Sequence, residues 1–179
     1  MSTGMRRGEL AGLHWSELDL DASRLRVAAA RIVVDYKVLD ETPKSKSSAR
    51  TIGLDPLTVT ALKAHRKRQI EQRMAWGSAW TDTGLVFVRE DGLGLHPERI
   101  TRMFQAAARR AHLPVIPLHG LRHSYATAAL EAGVAMKVVS ERLGHSGLAI
   151  TADLYSHVRP QVDQDAADKT ATYIFGSKN

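Results

Sequence analysis

The sequence predicts a mainly α-helical fold with a small antiparallel three-stranded sheet (α+β), on three observations. Between Pro97 and Ala111, the residues Ile100, Met103, Phe104, Ala107, Ala108 and Ala111 repeat at i, i+3, i+4, i+7, i+8 and i+11, the period of one helix face. Two later helical stretches run up to Gly133 and Gly144, and glycine readily takes the left-handed conformation of a helix end. Short β-prone runs lie at residues 24–34, 51–54 and 85–88.

Taken in order, residues 7–13 carry a helical pattern directly behind Ser2-Thr3-Gly4, an opening that reads as the middle of a domain. The first strand, residues 24–34, gathers its β-branched residues toward its end. Residues 42–50 are Lys/Ser-rich and contain Pro43, so they read as a basic loop leading into the second strand. Pro56 suits the first turn of a helix that continues through Leu57, Ala61 and Leu62 into Lys63, Arg66, Lys67, Arg68 and Arg73, a charge run read as a solvated face. Residues 85–88 supply the third strand, and the periodic stripe that follows Pro97 is read as core. Helices are expected at about 119–132, 134–143 and 146–155, followed by a weakly amphipathic tail after Arg159.

The chain has 179 residues and no cysteine, with 25 Lys+Arg against 19 Asp+Glu for a net charge of +6. That length suits one domain able to build its own core. The lack of cysteine excludes a disulfide framework, a thiolate zinc site and a cysteine nucleophile. No apolar run approaches a membrane span, and no signal peptide is visible, so a soluble intracellular protein without membrane association is expected. The positive balance makes a polyanion the first partner to consider.

Among residues that could carry chemistry, His119 and His123 share a helix face at i, i+4, as zinc-binding pairs do. Arg122 between them opposes a cation, and the glutamate of the zinc-protease pattern is absent. Gly144-His145-Ser146-Gly147-Leu148 begins like a nucleophile elbow, but Leu148 stands where its closing glycine belongs. A third arrangement uses more of the residues. His119 and Arg122 project from one side of a helix, His145 follows a helix-ending glycine, and Tyr155 lies ten residues further on. Arg6 adds a second guanidinium, and Lys44 or Lys46 sits on the basic loop. Forked arginines bind non-bridging phosphate oxygens and stabilise the added charge of a pentacoordinate transition state without a metal. A tyrosine can act as nucleophile once its proton is removed. Arg6 and Glu9 also admit the plain reading of an i, i+3 surface pair, and Tyr155 that of a half-buried aromatic.

Three segments carry a family resemblance, in order and over residues 2–160. Thr3-Gly4-Met5-Arg6-Arg7-Gly8-Glu9-Leu10 with Leu13-His14-Trp15 resembles the first motif of the tyrosine recombinases, the phage-integrase family. His119-Gly120-Leu121-Arg122-His123 resembles the second. Leu143-Gly144-His145-Ser146 followed by Thr151-Ala152-Asp153-Leu154-Tyr155 resembles the third. The resemblance implies a site-specific DNA recombinase catalytic domain that breaks and rejoins DNA through a 3′-phosphotyrosyl intermediate, with no metal or other cofactor. It implies Tyr155 as nucleophile, Arg6 and Arg122 as the phosphate clamp, and His119 as a group that helps accept the tyrosine proton. His145 then hydrogen-bonds the phosphate, and a loop lysine, Lys44 or Lys46 with Lys44 preferred, donates a proton to the leaving 5′ oxygen. Glu9 resembles the family's buttress to the first arginine.

The partner implied is double-stranded DNA, bound by a homo-oligomer, a tetramer, in a bacterial or phage-encoded protein of the cytoplasm and nucleoid. Residues 1–179 are expected to be one C-terminal catalytic domain lacking the family's first helices and its N-terminal DNA-clamping domain, with residues 160–179 as a C-terminal exchange arm. The missing clamp motivates the alternative of a catalytically inactive DNA-binding or docking remnant.

Overall fold

The computed structural model describes residues 3–41, 49–145, 147 and 161–176, the stretch 161–167 by its backbone alone. It is mainly helical with small antiparallel sheets. The chain runs through α1 (Arg7–Ala11), a 3-10 turn (Trp15–Glu17), β1 (Leu18–Asp19), β2 (Arg24–Val27), β3 (Ala30–Val34), β4 (Lys37–Glu41) and β5 (Arg50–Gly53). Then come α2 (Pro56–Trp76), α3 (Pro97–Arg110), α4 (Leu118–Glu131), α5 (Met136–Leu143) and a C-terminal helix (Gln161–Phe175).

The three-stranded antiparallel sheet is present in the order β1-β2-β5, with Leu25 opposite Ile52 and Val27 opposite Arg50. Its composition differs from the expected one in two ways. Residues 24–34 form two strands: β2 stays in the sheet, whereas β3 leaves it and pairs with β4 in a separate two-stranded hairpin. That hairpin turns on Asp35 and Tyr36, whose φ values of 47° and 62° match a two-residue turn of the primed type. Neither glycine nor asparagine marks the turn, so its usual sequence cue is missing. Residues 85–88 are not a strand. They make only isolated bridges, His14 to Leu85 and Val88 to Gly94. Side chains of α2 occupy carbonyls there that a ladder would use: Gln69 Nε2 donates to Leu85 O at 3.1 Å, and His65 Nε2 lies 2.7 Å from Val86 O. The third strand is instead β1.

Alternation along β2 places Leu25 and Val27 inward and Arg24 and Arg26 outward. The inward pair joins Met5, Leu13, Ile52, Leu54, Val59 and Val86 in one core. A second core lies between α4 and α5, from Ala126, Ala129, Leu130, Val139 and Leu143. Asp55 caps α2 by accepting from the Thr58 amide at 2.9 Å, with Pro56 in the first turn as expected. The stripe on α3 departs from the core reading. Ala108 is buried, but Met103 is 55% exposed and Ala107 and Ala111 are also exposed, so periodicity correctly marks the helix while its apolar face is only partly covered.

Two glycines join the N-terminal segment to the second core. Gly4, at φ +60°, lies against α4 and α5 so closely that an added Cβ would come within 2.5 Å of Leu143 Cδ2. Gly144 ends α5 in the left-handed conformation, φ 66° and ψ 46°, as its position after the helical run predicts. Residues 3–6 are thereby held beside the end of α5, and the candidate site forms at that junction.

Candidate active site

The end of α5 gathers three guanidiniums. A helix C-terminus leaves its last carbonyls without intrahelical partners and carries partial negative charge, so cations are favoured there. Arg50 Nε donates to Arg142 O at 2.6 Å, Arg122 Nη2 to Leu143 O at 2.5 Å, and Arg6 Nη2 to Gly144 O at 2.7 Å. Three consecutive carbonyls therefore each hold one arginine, drawn from β5, from α4 and from the residue that caps α1.

Glu9 is the counter-charge. It sits in the first turn of α1, 4% exposed, and its carboxylate accepts from the Arg6 amide at 2.8 Å and from Arg6 Nη1 at 2.9 Å. The amide bond is the carboxylate half of a capping box, so the Arg6 and Glu9 spacing sets a helix start as well as an ion pair. Arg50 completes the cage with a two-pronged fork, Nη1 to Oε1 and Nη2 to Oε2, each 2.9 Å. Burial acts to raise the Glu9 pKa, but the hydrogen bonds and charge of Arg50, followed by the hydrogen bonds of Arg6, outweigh it and hold the carboxyl below its ordinary value. The plain surface-pair reading of Arg6 and Glu9 does not describe this arrangement.

Arg122 is 4% exposed and donates through Nη1 to Gly4 O at 2.7 Å as well as to Leu143 O. Burial, and then the neighbouring charges of Arg6 and Arg50 opposed by Glu9, lower its pKa to about 10, which still leaves a cation at neutral pH. His145 follows Gly144, its amide donating to Ser140 O at 3.1 Å. Desolvation and the charges of Arg122 and Arg6 push its imidazole down to about 4, so the ring is neutral at physiological pH. His119 lies one turn before Arg122 on α4, its ring edge-on to that of His123 at 4.6 Å. Partial desolvation of the ring, then the charges of His123, Arg122 and Arg6, lower its pKa as well. A neutral imidazole of that kind has a lone pair with which to accept a proton.

Arg6, His119 and Arg122 line one open cavity of about 660 Å³, together with Arg7 and Thr101. Arg6 and Arg122, 116 positions apart by their numbering, thus meet at one surface. The side chain of Arg6 remains 42% exposed, so it faces that cavity while tethered behind by Glu9 and Gly144. Of the other candidates, Lys44, Lys46 and Tyr155 lie outside the described residues, as does the expected helix at 146–155 apart from Gly147. Arg50 is a site residue that the sequence reading left aside. Its one local cue is that it closes the Lys/Ser-rich loop and opens β5.

The model of the phage integrase family matches residues 1–162. The chain belongs to that family. Among relatives of this integrase-family chain, the XerC-like tyrosine recombinase of Caldanaerobacter subterraneus subsp. tengcongensis is 36% identical over 178 residues, covering 93% of this chain and 46% of the relative. The ICEBs1 integrase of Bacillus subtilis is 27% identical over 170 residues, covering 93% of this chain and 45% of the relative. The chain thus spans about half the length of the curated relatives it matches. Among solved structures, the Tn1549 transposon integrase in complex with transposon right end DNA superposes with a TM-score of 0.78 at 20% identity, over 95% of this chain and 56% of that one. That likeness shows that the two chains share a fold. No helix among the described residues is long and apolar enough to cross a membrane.

Proposed function

We propose that this chain carries the DNA-cleaving and rejoining centre of a site-specific recombinase. The observation that carries the reading is the convergence of Arg6, Arg122 and His119 on one open cavity, with the neutral His145 beside the same helix end. In this reading Arg6 and Arg122 bind the non-bridging oxygens of the scissile phosphate, and His145 adds a hydrogen bond to it. The Tyr155 hydroxyl attacks phosphorus and gives up its proton with help from His119. The new bond joins tyrosine oxygen to the 3′ phosphate, and the bond from phosphorus to the 5′ oxygen breaks. Lys44, or Lys46 in its stead, donates the proton that the departing 5′ oxygen takes up. Reversal by a 5′ hydroxyl of a partner duplex rejoins the strand. The substrate is double-stranded DNA, and the bacterial and phage relatives support a bacterial or phage-encoded protein that acts in the cytoplasm at the nucleoid.

The test is covalent trapping. Duplex DNA carrying the recombination site with a nick beside the cleavage position, supplied in EDTA, is expected to give a protein–DNA adduct whose nucleotide maps to Tyr155 by mass spectrometry. The adduct should disappear in Tyr155→Phe. An adduct that persists in the Phe variant, or no adduct on any substrate bearing the site, rejects the reading.

The reading extends to assembly as a homotetramer on DNA. The C-terminal helix presents Tyr173, Ile174 and Phe175 to solvent, which suits an arm that docks on a neighbouring subunit. Truncation after Arg159 is expected to reduce the mass of the DNA-bound assembly in light scattering. An unchanged mass rejects the arm.

A further inference from the structure

We infer that Arg50 is a positioning residue of this site: it takes up the charge of Glu9, so that the cation of Arg6 stays available to a phosphate, and it anchors the helix end that Arg6 and Arg122 also grip. This role rests on the recombinase reading above.

The geometry separates Arg50 from a phosphate ligand. Its side chain is only 7% exposed, both Nη atoms donate to Glu9, and its Nε donates to Arg142 O, so burial keeps it from the cavity. Arg6 is the opposite case, 42% exposed and lining the cavity, with one Nη donor on Glu9 and one on Gly144 O. The guanidinium fork has five N–H groups, so Arg6 keeps donors beyond those two bonds.

Charge arithmetic gives Arg50 its purpose. Glu9 is needed to start α1 and to fix Arg6, but a buried carboxylate in contact with Arg6 also cancels the charge that would attract a phosphate. With Arg50 forked onto the same carboxylate, three guanidiniums face one carboxylate and two net positive charges remain. A phosphodiester enters with one negative charge, and the pentacoordinate transition state develops a second. Without Arg50 the cluster would keep one net positive charge, and Glu9 would compete with the phosphate for Arg6.

The third Arg50 contact acts on placement. Its bond to Arg142 O lies beside those of Arg122 to Leu143 O and Arg6 to Gly144 O, and Arg142 in turn donates through Nη2 to Gly53 O at 2.7 Å. The start and end of β5 are therefore both tied to the last turn of α5, immediately before His145.

The experiment measures single-turnover adduct formation on nicked duplex DNA, with DNA affinity and thermal midpoint recorded for each variant. Arg50→Met is expected to slow adduct formation by about tenfold or more, with little change in DNA affinity. Adding Glu9→Gln to Arg50→Met is expected to raise the rate above that of Arg50→Met alone, because the uncompensated carboxylate is removed. A purely structural role predicts the reverse, a double variant at least as slow as the single. Arg50→Lys, which keeps the cation, should be faster than Arg50→Met at matched stability; if the Met variant fails to fold, Arg50→Gln replaces it as the uncharged member of both comparisons. Arg50→Met at the unsubstituted rate, Arg50→Lys no faster than Met, or a double variant no faster than Arg50→Met overturns the role of Arg50 alone. Absence of adduct from the unsubstituted protein overturns the recombinase reading, and this role with it.

Discussion

Arg122→Lys is expected to form the covalent DNA adduct about 100 to 1000 times more slowly than the unsubstituted protein, the loss typical of removing one preorganised donor from a developing negative charge. The substitution keeps the charge and loses the geometry. Arg122 spans two backbone acceptors, Gly4 O at 2.7 Å and Leu143 O at 2.5 Å, which come from opposite sides of the junction between the N-terminal segment and α5. An ammonium is a compact charge on a flexible stem and cannot hold both carbonyls while directing donors into the cavity. One buried carbonyl left without its partner costs about 1 to 3 kcal/mol. The thermal midpoint should fall by about 2 to 4 °C for each of those kcal/mol in a chain of this size. Single-turnover trapping and a melting curve read the two effects separately. An adduct rate within a few-fold of the unsubstituted protein would reject the placement of Arg122 on the phosphate.

Glu9→Gln is expected to be the most destabilising single change in the site, by about 3 to 5 kcal/mol, because it removes one partner of a buried ion pair and leaves Arg50 as an uncompensated buried cation. An amide also turns a donor toward guanidiniums that can only donate. Chemical denaturation at neutral pH measures the loss. Its pH dependence is a second signature. The Glu9 carboxyl is held below its ordinary value in the folded protein, so between its folded and unfolded pKa values the unfolded chain binds the extra proton. Stability from this group is therefore complete above about pH 4.5, the ordinary carboxyl value, and is lost as the pH falls through the folded value. The Gln variant should lose that part of the acid slope, and an identical slope in both proteins would show that Glu9 is not its source.

How far the site is legible in the sequence depends on how each residue is held. His119 and Arg122 stand three apart within one helix, so periodicity alone brings them to one side, and Arg6 and Glu9 hold the N-cap and N3 positions whose spacing makes a capping box. Gly144 is legible because a helix end needs a left-handed residue, and it indicates where His145 begins. Arg50 is not legible in that way. Its carboxylate partner lies 41 residues away and its carbonyl acceptor 92, and a backbone carbonyl has no residue type to betray it. The β3–β4 hairpin escapes for a related reason, since Asp35 and Tyr36 adopt positive φ without the glycine or asparagine that announces such a turn. On α3 the helical period is correct, but periodicity cannot say whether a neighbour covers the apolar face, and Met103 remains open.

The carbonyls at residues 142–144 also impose an order in time. Arg6 and Arg50 lie 138 and 92 residues from the acceptors that hold them. Such long-range contacts form only after large loops have closed. A nascent chain that ends between residues 122 and 141 contains Arg6, Arg50 and Arg122 but lacks the three carbonyls that line them up at the end of α5. The arginine cluster at this helix end would thus be completed among the last events of folding, and fragments or half-folded chains would carry its parts without the means to align them.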